Sequence, residues 1–135
     1  MDIEVLRLTP GTDLRDALDA FTRERGIASG FIASAVGSLR AARLRFAGRS
    51  EATAYEGDLE IVALSGTLSP DGCHLHAALA DEKGALIGGH VLAGCVVRTT
   101  AELVVGVSNA HRFTRELDPA TGFRELVVHR VPGSS

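Results

Sequence analysis

Residues 72–105 read GCHLHAALADEKGALIGGHVLAGCVVRTTAELVV, and the interpretation of the whole chain starts from this stretch. It contains both cysteines and three of the five histidines of the 135-residue sequence. His74 and His76 are separated by one leucine, and His90 follows a pair of glycines. Because side chains alternate across a strand, His74 and His76 are expected on one face. The stretch therefore predicts a β-hairpin that carries a cluster of imidazoles.

The register of this hairpin decides whether the third imidazole joins the other two. A strand over 73–80 followed by a three-residue loop, 82–84, with glycine in the left-handed position pairs His76 with His90. A two-residue loop would instead pair His90 with Leu75 and send its side chain to the opposite face. A β-bulge at Gly88-Gly89 would bring it back. The prediction of a three-histidine cluster thus depends on the loop or on the bulge.

Three neutral imidazoles on one side of a hairpin are suitable ligands for zinc or a similar divalent ion. Three protein ligands leave a fourth position for water or substrate, which is typical of catalytic zinc sites. Cys73 alternates with His74 and is expected to point away. The alternative is that the histidines are ordinary polar residues at strand ends or at an interface. We predict a metal site at His74, His76 and His90.

Glu102 lies within the otherwise apolar segment TTAELVV and is the candidate for a catalytic role. Its carboxylate could accept a hydrogen bond from a ligand histidine or act as a general base. An outward-facing strand residue is the alternative, so the catalytic residues stay unassigned. His111 and His129 are distant in sequence and are predicted to be solvated or hydrogen-bonded side chains.

Composition and charge limit the classes of protein to which the chain can belong. A length of 135 residues fits one domain, and 45% hydrophobic with 23% charged residues is typical of a globular protein. The net charge of −3 and pI of about 5.9 argue against binding nucleic acid through phosphate contacts. No apolar run approaches the roughly 18 residues of a membrane span, and no signal peptide is recognisable. We expect a cytoplasmic protein with free thiols.

The remaining segments predict an α+β fold: a single domain, 1–131, in which one main helix packs on a twisted, mainly antiparallel sheet of about seven strands. The helix is predicted over 13–25, from an Asp13 N-cap to arginines ahead of Gly26. Strands are predicted over 3–8, 27–36, 39–46, 59–68, 73–80, 96–107 and 123–131. The polar segments 48–58 and 108–121 are predicted to be loops, 86–95 has a short second helix as one interpretation, and 132–135 is predicted to be a disordered tail.

Motifs spread over almost the whole chain resemble the PPC domain family (plant and prokaryote conserved, also written PCC and associated with AT-hook proteins). These motifs are Arg7-Leu8, Pro10-Gly11 with Asp13, 35–39 (AVGSL), Glu60-Ile61, 64–68 (LSGTL), His74 with His76, 88–90 (GGH) and 100–102 (TAE). The two histidine motifs, in this order, are the most specific part of the resemblance.

The resemblance implies a stand-alone PPC-like domain that assembles as a homotrimer. Some prokaryotic members resemble metal-containing proteins with histidine ligands, and these correspond here to His74, His76 and His90. The expected cofactor is thus a divalent metal, with zinc as the expected ion, and a small molecule at the metal is an expected partner. Plant relatives carry an AT-hook built around Arg-Gly-Arg-Pro, which this sequence lacks, so direct DNA binding is not expected. Whether the protein is an enzyme stays open. The alternative is a DNA-associated or transcription-associated protein-interaction module without catalysis.

Overall fold

The computed structural model describes residues 1–133 and contains, within them, one helix and eight strands. In chain order these are β1 (Asp2–Leu8), α1 (Leu14–Glu24), β2 (Gly30–Arg45), β3 (Ala52–Leu68), β4 (His74–Ala80), β5 (Leu86–Val91), β6 (Val96–Val107), β7 (His111–Leu117) and β8 (Arg124–Arg130). The predicted α+β class is confirmed. Of the predicted tail, 132–135, the last two residues lie outside the described residues.

Six strands form the main sheet in the order β1-β6-β2-β3-β4-β5, and β7 and β8 form a separate two-stranded sheet. Every pairing between the named strands is antiparallel. The end of β2 also pairs with β5, at Leu44↔Val91 and Arg45↔His90. Register shifts between Leu39 and Ala41 show where β2 is irregular, and such bulges bend a strand. The bend closes β2, β3, β4 and β5 into a ring that brings Arg45 beside His90.

Helix α1 begins and ends as its sequence predicts. The Asp13 carboxylate caps it by accepting a hydrogen bond from the Asp16 N–H at 3.0 Å, and its other oxygen accepts from the Gly94 N–H at 2.6 Å. Leu14 and Leu18 are fully buried, and they belong to the same hydrophobic core as the side chains on the inner face of the sheet. The helix has 11 residues, and no helix in the described residues is long and apolar enough to cross a membrane.

The predicted break between strands 27–36 and 39–46 is wrong, because β2 runs through Gly37-Ser38 without interruption. A Cβ atom built on Gly37 would lie 2.2 Å from the Thr100 carbonyl oxygen. Glycine is therefore required there for the close approach of β6 to β2, and it does not mark a turn.

Three further element predictions are wrong. Residues 48–58 are not all loop, since β3 begins at Ala52 and pairs with the end of β2. The segment 108–121 contains β7, a half-exposed strand paired with β8. The second helix suggested for 86–95 is absent, because that segment holds β5 and the turn after it. The polar strands escaped prediction because little of either face is buried, so no apolar alternation marks them.

Candidate metal centre

The β4–β5 hairpin has the register that the glycine-ended loop predicts. The Asp81 and Ala85 backbones are paired by the Asp81 N–H to Ala85 C=O bond of 2.9 Å, which leaves 82–84 as a three-residue loop. Gly84 has φ +78°, the left-handed conformation that favours glycine. His76 lies opposite His90, as predicted. The pairing continues without a shift past Gly88 and Gly89, so the loop sets the register and no bulge is needed.

Glycines also allow the ligand-bearing strands to approach their neighbours closely. A Cβ on Gly66 of β3 would lie 2.0 Å from the His74 carbonyl oxygen. A Cβ on Gly89 of β5 would lie 2.7 Å from the Arg45 carbonyl oxygen. Both clashes are with backbone atoms, which cannot rotate away. Gly66 and Gly89 are therefore positions of close approach between strands.

The three histidines converge on one side of the hairpin. Ring nitrogens of His74, His76 and His90 all lie within 4.8 Å of one another. The ring centroids are 4.9 Å apart for His74 and His76, 5.1 Å for His74 and His90, and 5.8 Å for His76 and His90. Within residues 1–133 no other group of three His, Cys, Asp or Glu side chains is close enough together to hold a metal ion. The structure therefore brings together all three predicted ligands.

The surroundings favour the neutral form of two of these imidazoles. Burial lowers the pKa of His74, and the Arg115 charge adds to the effect. Burial also lowers the pKa of His90 to about 4, with a further contribution from Arg45. A histidine binds a metal ion only when it is unprotonated, so both environments suit a ligand role.

Arg15 of helix α1 ties together the two strands that carry the histidines. Its Nη1 donates to the Val91 carbonyl at 2.7 Å, and its Nη2 donates to the Cys73 carbonyl at 3.2 Å. Asp19, one turn further along, accepts from the Cys73 N–H at 2.8 Å. Arg15 thus binds the residue before His74 and the residue after His90. No sequence pattern predicts this role, because the spacing of Arg15 indicates only an exposed helix position.

A cavity of about 320 Å³ opens beside the histidines, lined among others by His74, His90 and Phe123. A wider one of about 990 Å³ adjoins it and includes His76. The β7–β8 hairpin contributes part of the wall, and its position is fixed by hydrogen bonds. The Arg115 N–H donates to an Asp71 carboxylate oxygen at 2.9 Å, and Arg115 Nη2 donates to Thr67 Oγ1 at 2.9 Å.

The structure places Glu102 away from this cluster. Its side chain is exposed on β6, where the residue pairs with Arg7 on one side and Val36 on the other. It lines neither cavity beside the histidines. The outward-facing alternative thus describes its position, and a catalytic role for Glu102 stays a prediction.

The remaining histidines and the cysteines take structural positions. His111 Nδ1 lies 2.7 Å from Ser108 Oγ, and His129 Nε2 lies 3.0 Å from Thr114 Oγ1, so both are hydrogen-bonded. Cys73 is 5% exposed, within the core and outside the histidine cluster. Burial, together with Asp19, raises the pKa of its thiol to about 12, which keeps it protonated at neutral pH.

Comparison with solved structures supports the same fold. A hypothetical protein from Salmonella enterica superposes with a TM-score of 0.93 at 39% identity, covering 96% of this chain and 94% of that one. The metal-containing protein AF0104 from Archaeoglobus fulgidus has a TM-score of 0.78 at 30% identity, over 94% of both chains. A putative DNA-binding protein from Bacteroides thetaiotaomicron has a TM-score of 0.82 at 25% identity, over 93% and 91%.

Sequence comparison gives longer relatives and the family. A bifunctional protein GlmU from a Synechococcus strain is 50% identical over 126 residues, which are 93% of this chain and 20% of that protein. The chain thus spans about a fifth of the length of this curated relative. Residues 1–109 match the Plants and Prokaryotes Conserved (PCC) domain. The chain belongs to the Plants and Prokaryotes Conserved domain family.

Proposed function

We propose that the chain binds a divalent metal ion, with zinc as the expected ion, through His74, His76 and His90. The observation that carries this proposal is the approach of the three ring nitrogens to within 4.8 Å of one another. The strands and the loop that bring them together are held by backbone pairing, so the cluster is built into the fold.

The separation of the nitrogens fits a zinc ion after a small adjustment. Nitrogens bound to one tetrahedral zinc ion at about 2.0–2.1 Å lie roughly 3.4 Å apart. The widest nitrogen separation must therefore close by at most roughly 1.4 Å. His76 is exposed, so its side chain has room to adjust its position. The residues present thus fit the ion.

Similarity to the metal-containing protein AF0104 from Archaeoglobus fulgidus, at 30% identity, supports the same proposal. A bound divalent ion would act as a Lewis acid, and three protein ligands would leave one coordination position for a small molecule. The role of this chain is to hold the ion beside the smaller cavity. No described carboxylate joins the three histidines, so we propose metal binding and assign no reaction.

The protein is further proposed to assemble as a homotrimer. The outer face of the main sheet exposes large apolar side chains on three strands: Ile3 at 54%, Val5 at 70%, Val36 at 57% and Val62 at 56%. Exposed apolar patches of this kind are typical of interfaces.

The cytoplasm is the compartment that we propose, because the free thiols of Cys73 and Cys95 are buried and unpaired, as expected in a reducing environment. The assembly proposal has a direct test. Light scattering on the purified protein would give its mass as about three chains if the proposal holds.

The alternative is an interaction module associated with DNA or transcription. Its support is the likeness, at 25% identity, to a putative DNA-binding protein. The net charge of −3 opposes direct contact with phosphates. Steeply salt-dependent binding to a duplex by the metal-free protein would favour this alternative over the metal proposal.

Metal content tests the proposal directly. Protein purified without chelators, and without a tag that leaches metal, is expected to contain about one equivalent of metal per chain, measured by elemental (inductively coupled plasma) mass spectrometry. A variant with His74→Ala, His76→Ala and His90→Ala is expected to lose it. His129→Ala is the matched control, because His129 is hydrogen-bonded outside the cluster. Retention of the metal by the triple variant would contradict the proposed site.

A further inference from the structure

The cavity beside the histidines has an excess of positive charge. Its charged lining consists of Arg15, Arg45, Asp71, Arg115, Arg124 and Glu125. In the described part of the chain, no carboxylate lies within ion-pair distance of Arg45 or Arg115. Three neutral imidazole ligands contribute no negative charge, so a bound divalent ion would add two further positive charges. The occupied cavity would therefore attract an anion strongly.

Among the described residues, three of the four cavity arginines form no ion pair, and two of these, Arg45 and Arg115, reach the cavity from different strands. Arg45 ends β2 and lies directly opposite His90 in the sheet. Its side chain makes no hydrogen bond or ion pair within residues 1–133, so the five N–H donors of the guanidinium are available. Arg115 enters from β7, and its bonds to Thr67 and Asp71 hold it in place while leaving donors over. A planar guanidinium is the side chain best matched to carboxylate and phosphate groups.

Arg15 has a different role from Arg45 and Arg115. Both of its terminal nitrogens already donate to backbone carbonyls. It contributes charge to the cavity, but its geometry is committed to holding the strands. Arg124 Nε and Nη2 likewise donate to a backbone carbonyl, that of Arg115, at 3.2 and 2.7 Å. The recognition of a ligand therefore falls to Arg45 and Arg115.

We propose that the cavity binds a small molecule through an oxyanion, a carboxylate or phosphate group that contacts Arg45 and Arg115 and places one oxygen on the metal. This inference rests on the proposed metal site and extends it to the class of ligand. A volume of about 320 Å³ is at the lower end of ligand cavities, so the molecule is small. Phe123, on the same wall as Arg115, offers an apolar surface for the rest of it.

The two arginines come from different parts of the chain. Arg45 lies within the region that matches the family, residues 1–109. Arg115 lies beyond it, in the hairpin that covers the cavity. On this inference the β7–β8 hairpin helps to select the ligand, while the family core holds the metal.

The test uses the whole chain loaded with Co²⁺, because the visible absorption of this ion changes with its ligands. Uptake of Co²⁺ is measured first. Inorganic phosphate and acetate are then titrated separately at constant ionic strength. We expect a saturable spectral change with at least one of them, and the one that acts distinguishes a phosphate from a carboxylate ligand. In the Arg45→Gln and Arg115→Gln double variant the apparent affinity should fall at least about tenfold.

Controls separate the oxyanion from general charge effects and from misfolding. Arg23→Gln removes one exposed arginine on α1, outside the cavity, and should leave the affinity unchanged. Arg45→Gln alone removes no hydrogen bond of the described structure, so it tests the inference even if the double variant does not fold. Co²⁺ uptake without any response to either anion would overturn the oxyanion inference alone, as would equal affinity in the Arg45 variants and wild type. Failure of the wild-type chain to take up Co²⁺ would overturn the metal site.

Discussion

Two hairpins face each other across the candidate site, and they differ in how their sequences encode them. The β4–β5 hairpin combines buried alternate residues such as Leu75 and Leu79 with a loop that ends at Gly84. The β7–β8 hairpin is half-exposed along most of its length and has no such alternation. The first is a strand pair that the core requires. The second is placed by polar contacts at specific points, such as Arg115 with Asp71.

This difference separates the two halves of the proposed site. The metal ligands lie on the hairpin that the core enforces, whereas Arg115 and Phe123 lie on the hairpin that polar contacts position. Changes to the core packing should therefore disturb metal binding first. Changes to the second hairpin should disturb the ligand and spare the metal.

The largest effect is expected for Gly66→Ala. The added methyl would lie 2.0 Å from the His74 carbonyl oxygen, so β3 and β4 would have to separate at the first ligand. We expect a loss of about 3 kcal/mol in the free energy of unfolding, together with loss of metal. Denaturant unfolding and metal analysis measure the two effects. Unchanged stability would show that the strands can part without cost.

Arg15→Ala is expected to have the next largest effect. It removes the donors to the Cys73 and Val91 carbonyls, which flank His74 and His90. We expect about 2 kcal/mol less stability and a metal affinity lower by roughly 10–100-fold. Arg15→Lys, which keeps one charged donor, should recover part of the affinity. An alanine variant with lower stability and normal metal affinity would show that Arg15 holds the helix but does not position the ligands.

A matched pair of glycines compares the hairpins directly. Gly84 and Gly122 both have φ +78°, and a Cβ on either would meet open space. Gly84→Ala and Gly122→Ala should each cost about 1 kcal/mol of stability, because an alanine is strained in this conformation. Only Gly84→Ala is expected to weaken metal binding, since only that loop sets the register of His76 against His90. Equal metal affinities in the two variants would contradict the importance of the register.

The parts of the molecule that could be predicted from the sequence are those in which the period of the side chains coincides with their burial. Helix α1, strand β6 and the pairing of His76 with His90 were predicted because apolar spacing or a glycine-ended loop specifies them. Prediction failed where a contact between residues distant in sequence decides the local structure. Gly37 is needed for the approach of β6, and Arg45 reaches His90 only because β2 bends round to β5. No local pattern reports such contacts, so the arginine side of the site stayed unpredicted.

The smallest expected effect tests the alternation that made the first hairpin predictable. Cys73 precedes His74 and points into the core, where burial raises its pKa from 9.0 to about 12. Because the unfolded thiol ionises near its ordinary value, the contribution of Cys73 is fully present below about pH 9 and is lost as the pH rises towards 12. Between pH 8 and 10 the wild type should thus lose slightly more stability than Cys73→Ala. At pH 8 the thiol of Cys73 in the native protein should react slowly with a thiol reagent that labels it rapidly in denaturant. Rapid labelling of the native protein would place Cys73 on the same accessible face as the histidines. That result would contradict the alternation.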